Sequence, residues 1–272
     1  MQQVNVIVKR TPKIFSNNIM LKINFQKIAL ILLPILILTG NSVKAQKAPE
    51  FSNKILPDNK TYFYFVADRF EYYSKEGTNP LVWDVQGYYG KDYNKFWFKA
   101  EGEALTSEKE GEMEFQGLYS RPVTSYFDVQ AGLRYDVAYN SITSNSRAFA
   151  VLGLQGLAPY LFEVDGSIAV SEDGDLSGSF EGELDLLMTQ RLIIQPRLAT
   201  SVAVQKVEDF GVGSGLNNIQ LGLRLRYEIK REFAPYLGIS WNRKLSETAD
   251  LAKLEGADVS VFGVVAGVRL WY

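Results

Sequence analysis

Residues 218–229 read NIQLGLRLRYEI, a segment in which apolar and polar side chains alternate. Leu223 and Leu225 fall on one face, and Arg224 and Arg226 fall on the other. Alternation with a period of two predicts a β-strand with one apolar and one polar face. The segment has twelve residues, about twice the length of an average strand in a soluble domain. It is therefore long enough to cross a membrane as a tilted strand.

The same pattern recurs along the chain, and most of the segments are 11–16 residues long. No convincing helical period follows residue 59, so no helix is expected there. The length of these segments and the apolar face on each of them favour an all-β transmembrane barrel with antiparallel up-and-down strands. We predict about twelve strands within residues 61–272, near 61–73, 80–91, 94–106, 110–122, 124–138, 146–157, 160–172, 175–188, 190–205, 215–230, 233–244 and 258–272.

The final segment and the aromatic residues support a bacterial outer-membrane location. Residues 259–272 read VSVFGVVAGVRLWY, an alternating strand that ends in an aromatic residue. Such an ending looks like the recognition strand of outer-membrane barrels. Aromatic side chains near the segment ends are expected to form interfacial girdles: Tyr62, Tyr64, Tyr72, Tyr73, Tyr88, Tyr89, Tyr93, Trp97, Tyr126, Tyr160, Tyr227, Tyr236 and Trp241.

Residues 1–45 predict a signal peptide. They hold six basic and no acidic side chains, and Ile28–Leu38 is an apolar run of eleven residues. A membrane-spanning helix needs about 17–25 residues, so this run fits an export signal instead. Cleavage is expected before Gln46, and residues 1–19 are an upstream extension if Met20 is the true start. Residues 46–60 are then a short periplasmic segment.

Composition excludes several classes of chemistry. The chain has 272 residues, is 46% hydrophobic, and contains neither histidine nor cysteine. A Ser-His-Asp triad, a Cys nucleophile, a Cys/His zinc site and a disulfide are therefore excluded. No catalytic residues are predicted, and the protein is not expected to be an enzyme. Beyond residue 45 the chain keeps 23 basic and 31 acidic side chains, a net charge of −8, so no nucleic-acid partner is expected.

The polar faces predict a charged barrel interior. Carboxylates that line a pore favour cations, so we expect a cation path or weak metal sites along seven glutamates: Glu101, Glu103, Glu112, Glu114, Glu163, Glu181 and Glu183. Counter-charges in the lumen are expected from four arginines: Arg134, Arg197, Arg224 and Arg226. In the alternative interpretation, these opposite charges interlock and plug the barrel.

Six strings within the barrel region are distinctive: LVWDVQGYYG (81–90), NKFWFKAEGE (94–103), LQGLAPYLFEVD (154–165), DLLMTQRLIIQPRL (185–198), GSGLNNIQLGLRLRYEIKREFAPYLGISW (213–241) and AGVRLWY (266–272). Together they resemble the copper resistance protein B family, from about Asp68 to Tyr272. The resemblance implies an outer-membrane barrel that acts in copper tolerance with periplasmic copper-handling proteins.

One part of the family pattern has no counterpart in this chain. Many members carry a Met- and His-rich segment before the barrel, thought to bind copper, but residues 46–60 read QKAPEFSNKILPDNK. The resemblance therefore supplies no copper ligands, and any copper ion is expected to bind weakly or transiently.

The sequence thus predicts a copper resistance barrel surrounded by outer-membrane lipid, which exports copper or sequesters it at the outer membrane. Two alternatives stay open: a passive porin for small solutes, and a structural barrel that partners periplasmic proteins.

Overall fold

The computed structural model describes residues 60–74, 79–105, 110–140 and 143–272. The predicted signal peptide, and the predicted periplasmic segment except Lys60, lie outside the described residues. The described residues form thirteen strands and one α-helix, α1 (Ser246–Glu255). The strands are β1 (Tyr62–Ser74), β2 (Leu81–Lys91), β3 (Asn94–Leu105), β4 (Glu110–Pro122), β5 (Phe127–Tyr139), β6 (Ser144–Ala158), β7 (Phe162–Ser171), β8 (Leu176–Leu184), β9 (Leu186–Leu187), β10 (Leu192–Ala203), β11 (Gly215–Tyr227), β12 (Phe233–Lys244) and β13 (Ser260–Trp271).

The strands form a closed antiparallel barrel. Each long strand pairs with its neighbours in sequence, and β1 pairs with β13 to close the ring. The prediction of twelve long strands is confirmed, with the two-residue β9 as an addition. Pro196 explains that addition, because in the register of β8 and β10 it lies opposite Leu184 and a proline cannot donate to the ladder. The pairing therefore lapses between Leu184 and Leu186.

The two faces of the barrel differ as the alternation predicts. Outward side chains at mid-strand are apolar and exposed, such as Leu133 (65%) and Leu237 (64%). Charged side chains are buried in the interior, and Arg224 and Arg226 are each 2% exposed. Apolar residues thus face outward, as in a membrane barrel, and the polar groups lie inside.

A β-bulge in β1 changes this alternation locally. Against β2, Ala67 lies opposite Val85 and Arg69 lies opposite Asp84, so β1 has one extra residue. A bulge leaves the added residue unpaired and redirects its side chain. As a result, Asp68 pairs with Arg269, and Arg69 pairs with Asp84, so two consecutive charged residues both join interior ion pairs.

Two expectations from the sequence were wrong. The first is α1, which lies between β12 and β13 where no helix was predicted. Its Thr248 hydroxyl accepts a hydrogen bond from the Gly213 N–H (2.9 Å), a tertiary contact that no local pattern reports. The second concerns five of the predicted girdle residues, which lie in the interior instead: Tyr64, Tyr73, Tyr88, Trp97 and Tyr236.

Among the described residues, no helix has the length and apolarity needed to cross a membrane.

The two ends of the barrel differ in their connections. Strand β1 begins and β13 ends at the same end, which also has the short turn Asp92–Tyr93; we call it the turn end. The opposite end, which we call the loop end, has the longer loops 204–214 and 245–259.

Candidate functional site

A continuous line of carboxylates crosses four strands of the interior. In an antiparallel sheet, side chains directly opposite each other have Cβ atoms about 4.5–5.5 Å apart. Residues from β2 to β5 that lie opposite one another in this way are all acidic, and we call them the acidic row: Asp84, Glu101, Glu114 and Asp136. Like charges at such positions repel each other, so the row needs cations to balance it.

Arginines supply part of that balance. Arg69 lies beside one end of the row, with Nη2 2.8 Å from an Asp84 oxygen and 3.7 Å from a Glu101 oxygen. Arg134 bridges the other end, with its nitrogens 3.1 Å from Glu114 and 2.7 Å from Asp136. Arg69 and Arg134 thus offset two of the four carboxylate charges of the row.

A second acidic pair lies one step nearer the loop end. Glu103 of β3 and Glu112 of β4 are directly opposite each other. They add two carboxylates to the same wall, which therefore holds all four of the predicted glutamates on β3 and β4.

These side chains line a cavity of about 450 Å³ in the loop-end half of the barrel, which we call the vestibule. Its acidic wall is formed by the four glutamates of β3 and β4 together with Asp136 and Asp175. Neutral amides line another part of it, including Gln220 and Asn242. The loop 204–214 contributes Phe210, whose ring lies 5.0 Å from the guanidinium of Arg147. Arg147 also pairs with Asp175 at 2.6 Å.

The other predicted glutamates lie in a separate group on β7 and β8. Glu163 lies opposite Glu183, and both Glu181 and Glu183 pair with Arg197, at 2.5 and 3.1 Å. The seven predicted glutamates therefore form two groups. Only the group on β3 and β4 lines the vestibule.

Each of the four predicted counter-charges pairs with an interior carboxylate. Arg134 and Arg197 contact predicted glutamates, but Arg226 pairs with Asp185 at 2.5 Å and Arg224 pairs with Glu71. Sequence reasoning missed a set of interior charged residues: Asp68, Arg69, Glu71, Asp84, Arg147 and Arg269. The Asp68-Arg69 pair, which interrupts the alternation of β1, was the available signal.

Aromatic packing occupies the turn-end half of the interior. Three aromatic residues and one leucine lie directly opposite one another across β1 to β4, and we call them the aromatic row: Tyr64, Tyr88, Trp97 and Leu118. The rings of Tyr64 and Tyr88 are 5.4 Å apart, and those of Tyr88 and Trp97 are 5.0 Å apart. Lys99 is the inward-facing residue of β3 that follows Trp97. It pairs with Asp165 of β7 across the interior.

The geometry does not include a ready-made metal centre. Within the described parts of the chain, no three Asp or Glu side chains are grouped closely enough to hold a metal ion. The donors of the vestibule are carboxylate and amide oxygens, a set suited to weak binding of divalent cations.

Comparison with known proteins decides the family. Residues 61–272 match the family described as Copper resistance protein B precursor (CopB). This chain belongs to the copper resistance protein B family. It is 39% identical to Copper resistance protein B of Escherichia coli over 215 residues, which cover 79% of this chain and 71% of that protein. A Copper resistance protein B homolog from Pseudomonas syringae pv. tomato (strain ATCC BAA-871 / DC3000) is 37% identical over the same shares.

Two solved structures show some likeness in fold to this family member. The KdgM porin has a TM-score of 0.46 and 10% identity, covering 77% of this chain and 98% of that one. The outer membrane protein OprD from Pseudomonas aeruginosa has a TM-score of 0.31 and 10% identity, covering 78% and 94%. Family membership and a closed barrel with an apolar outer face agree with the prediction from sequence, and the protein is an outer-membrane barrel surrounded by lipid.

Proposed function

We propose that this barrel sequesters copper(II) at the outer membrane by binding it weakly in the vestibule. The observation that carries the proposal is the acidic row, together with Glu103 and Glu112 on the same wall. Six carboxylates and four arginines line the vestibule, so its formal charge is negative, and a cleft with an excess of one sign of charge concentrates ions of the opposite sign. Among first-row divalent cations, copper(II) binds a given set of ligands most tightly.

The other half of the interior favours sequestration over free flow of ions. The aromatic row and the ion pairs Arg226–Asp185 and Arg269–Asp68 occupy the turn-end half, and the Lys99–Asp165 pair crosses the interior from β3 to β7. In outer-membrane barrels the short turns face the periplasm, so the vestibule would exchange ions with the cell exterior. A passive porin, by contrast, needs a continuous wet path.

The first test is copper tolerance in a strain that lacks the gene. Complementation uses the wild type and a variant with Glu101, Glu103, Glu112 and Glu114 all changed to Gln. A matched control changes four exposed acidic residues of the outer loops to their amides: Glu172, Asp173, Asp250 and Asp258. We expect the wild type and the control to restore tolerance and the vestibule variant to fail, with all three at equal amounts in the outer membrane.

Equilibrium dialysis of copper(II) against the purified barrel measures copper binding directly. The vestibule variant should bind less copper(II) than the control does. If it restores tolerance and binds copper as the wild type does, the vestibule is not the site. If deletion leaves copper tolerance unchanged, the proposed function itself is wrong.

A further inference from the structure

A second cavity, separate from the vestibule, lies at the turn end of the barrel. It has a volume of about 510 Å³ and lies between the turn that joins β9 to β10 and the turn that joins β11 to β12. The two turns are adjacent because β10 pairs with β11, and the Glu228 N–H donates to the Arg191 carbonyl oxygen at 2.8 Å. This bond holds the two turns together at the cavity.

The cavity is basic although the chain is acidic. Arg191, Lys230 and Arg231 line it, against one carboxylate, Glu228. Three cations and one anion give a formal charge of +2. The exposed residues of the outer loops have the opposite character, with Glu172 and Asp173 adjacent in the loop between β7 and β8. A negatively charged ligand is therefore favoured at this cavity.

Exposed apolar side chains adjoin these cations, both in the cavity itself and on the outward face of the barrel beside it. Leu187 and Ile229 line the same cavity, and they are 62% and 51% exposed. Tyr227, at the end of β11, is outward and exposed. A ligand that fits both features has an anionic group with an apolar part extending along the barrel wall.

We propose that this cavity binds the phosphate group of an anionic phospholipid of the periplasmic leaflet. The phosphate would lie among Arg191, Lys230 and Arg231, because guanidinium and ammonium groups donate charge-assisted hydrogen bonds to phosphate oxygens. The acyl chains would lie along the exposed side chains of Leu186, Tyr227 and Ile229 on the outward face. Its position at the rim, between exposed apolar side chains and the aqueous turns, favours a membrane lipid over a free anion, since basic residues there also attract anionic lipid surfaces.

Native mass spectrometry of the full barrel in detergent tests this. The probes are dioleoyl phosphatidylglycerol, which is anionic, and dioleoyl phosphatidylcholine, which has the same acyl chains and no net charge. The test variant changes Arg191, Lys230 and Arg231 to Ser. The control variant changes three cations of the loop end to Ser, namely Lys206, Arg243 and Lys253, and a third variant exchanges Lys and Arg at the three test positions.

We expect one phosphatidylglycerol bound to the wild type with at least tenfold preference over phosphatidylcholine. Loss of the three cations should weaken that binding about a hundredfold, whereas the control and the charge-retaining variant should bind as the wild type does. Equal binding by the test variant would overturn the proposal, and so would equal loss in the control. Displacement of the lipid by millimolar inorganic phosphate would identify a free-anion site instead.

Discussion

Arg224 of β11 and Glu71 of β1 form a two-point ion pair in the interior, although β12 and β13 lie between their strands in the ring. The Arg224 Nε and Nη2 atoms donate to the two Glu71 carboxylate oxygens at 3.0 and 2.8 Å. The Tyr236 hydroxyl of β12 donates to the same carboxylate at 2.9 Å. Glu71 thus connects three strands beside the seam where β1 and β13 close the barrel.

This cluster predicts an asymmetry between single and double variants. Glu71→Ala leaves the Arg224 charge buried without its partner, which should lower the free energy of unfolding by about 3–5 kcal/mol. Glu71→Leu combined with Arg224→Met removes both charges and should cost much less. Urea unfolding in lipid vesicles measures both. A double variant that is less stable than Glu71→Ala would contradict this account of the pair.

The orientation of the faces predicts the effect of a charge on the lipid side. Phe98 lies on the outward face near the middle of β3, where its ring packs against Gly87 of β2. Phe98→Lys should cost about 2–4 kcal/mol of unfolding free energy in a bilayer. Glu101→Gln, on the same strand but inward, is the control and should cost little. Equal stability of Phe98→Lys and the wild type would mean that β3 does not face lipid as described.

The aromatic row predicts a barrel that conducts poorly. Replacing Tyr88 and Trp97 with Ala removes two large side chains from the turn-end half of the interior, so steady conductance in planar bilayers should rise above that of the wild type. Trp83→Ala is the matched control, because the Trp83 ring packs over Gly102 on the outward face. A wild-type barrel that already conducts as the double variant does would favour the passive porin.

The loop end predicts a response to pH. The backbone N–H and the hydroxyl of Ser214 donate to the Glu247 carboxylate at 3.1 and 2.8 Å, and they hold the pKa of Glu247 below its ordinary value. The contact between loop 204–214 and α1 is therefore fully stabilising above about pH 4.3, the usual glutamate pKa. It is lost as the pH falls through the lower pKa of the folded protein.

Hydrogen exchange measures that contact. Glu247→Gln at neutral pH should speed exchange of the Ser214 amide, as acidification does in the wild type after correction for intrinsic rates. Glu172→Gln, a change of the same kind in another outer loop, should leave that amide unchanged. An amide that exchanges equally in both variants would show that Glu247 does not hold the loop.

The strands were predictable because alternation reports which face each residue occupies. That rule places Leu223 outward and Arg224 inward from the sequence alone. It cannot predict the interruption of strand pairing opposite Pro196, because that interruption depends on which residue of the neighbouring strand lies there. Nor does proximity to a strand end distinguish an interfacial tyrosine from one that packs inside, since Tyr88 and Tyr89 are adjacent and both lie near the end of β2.

The vestibule was predictable only in part. Glu101, Glu103, Glu112 and Glu114 share one wall because β3 and β4 are consecutive and both face inward, which the sequence pattern contains. The partners of the arginines were not predictable. Arg224 contacts Glu71, 153 positions away in the chain, and that pairing depends on closure of the ring and on the register of four strands.

The bulge at Asp68 has a consequence for the redesign of pores. In a regular strand at most every second residue can serve the lumen, and barrel diameter follows from strand number and stagger. Because of the extra residue in β1, two consecutive residues, Asp68 and Arg69, both make interior ion pairs. The number of strands is unchanged. An engineer could therefore add a ligand or a charge to a channel wall by inserting a single residue, without adding a strand.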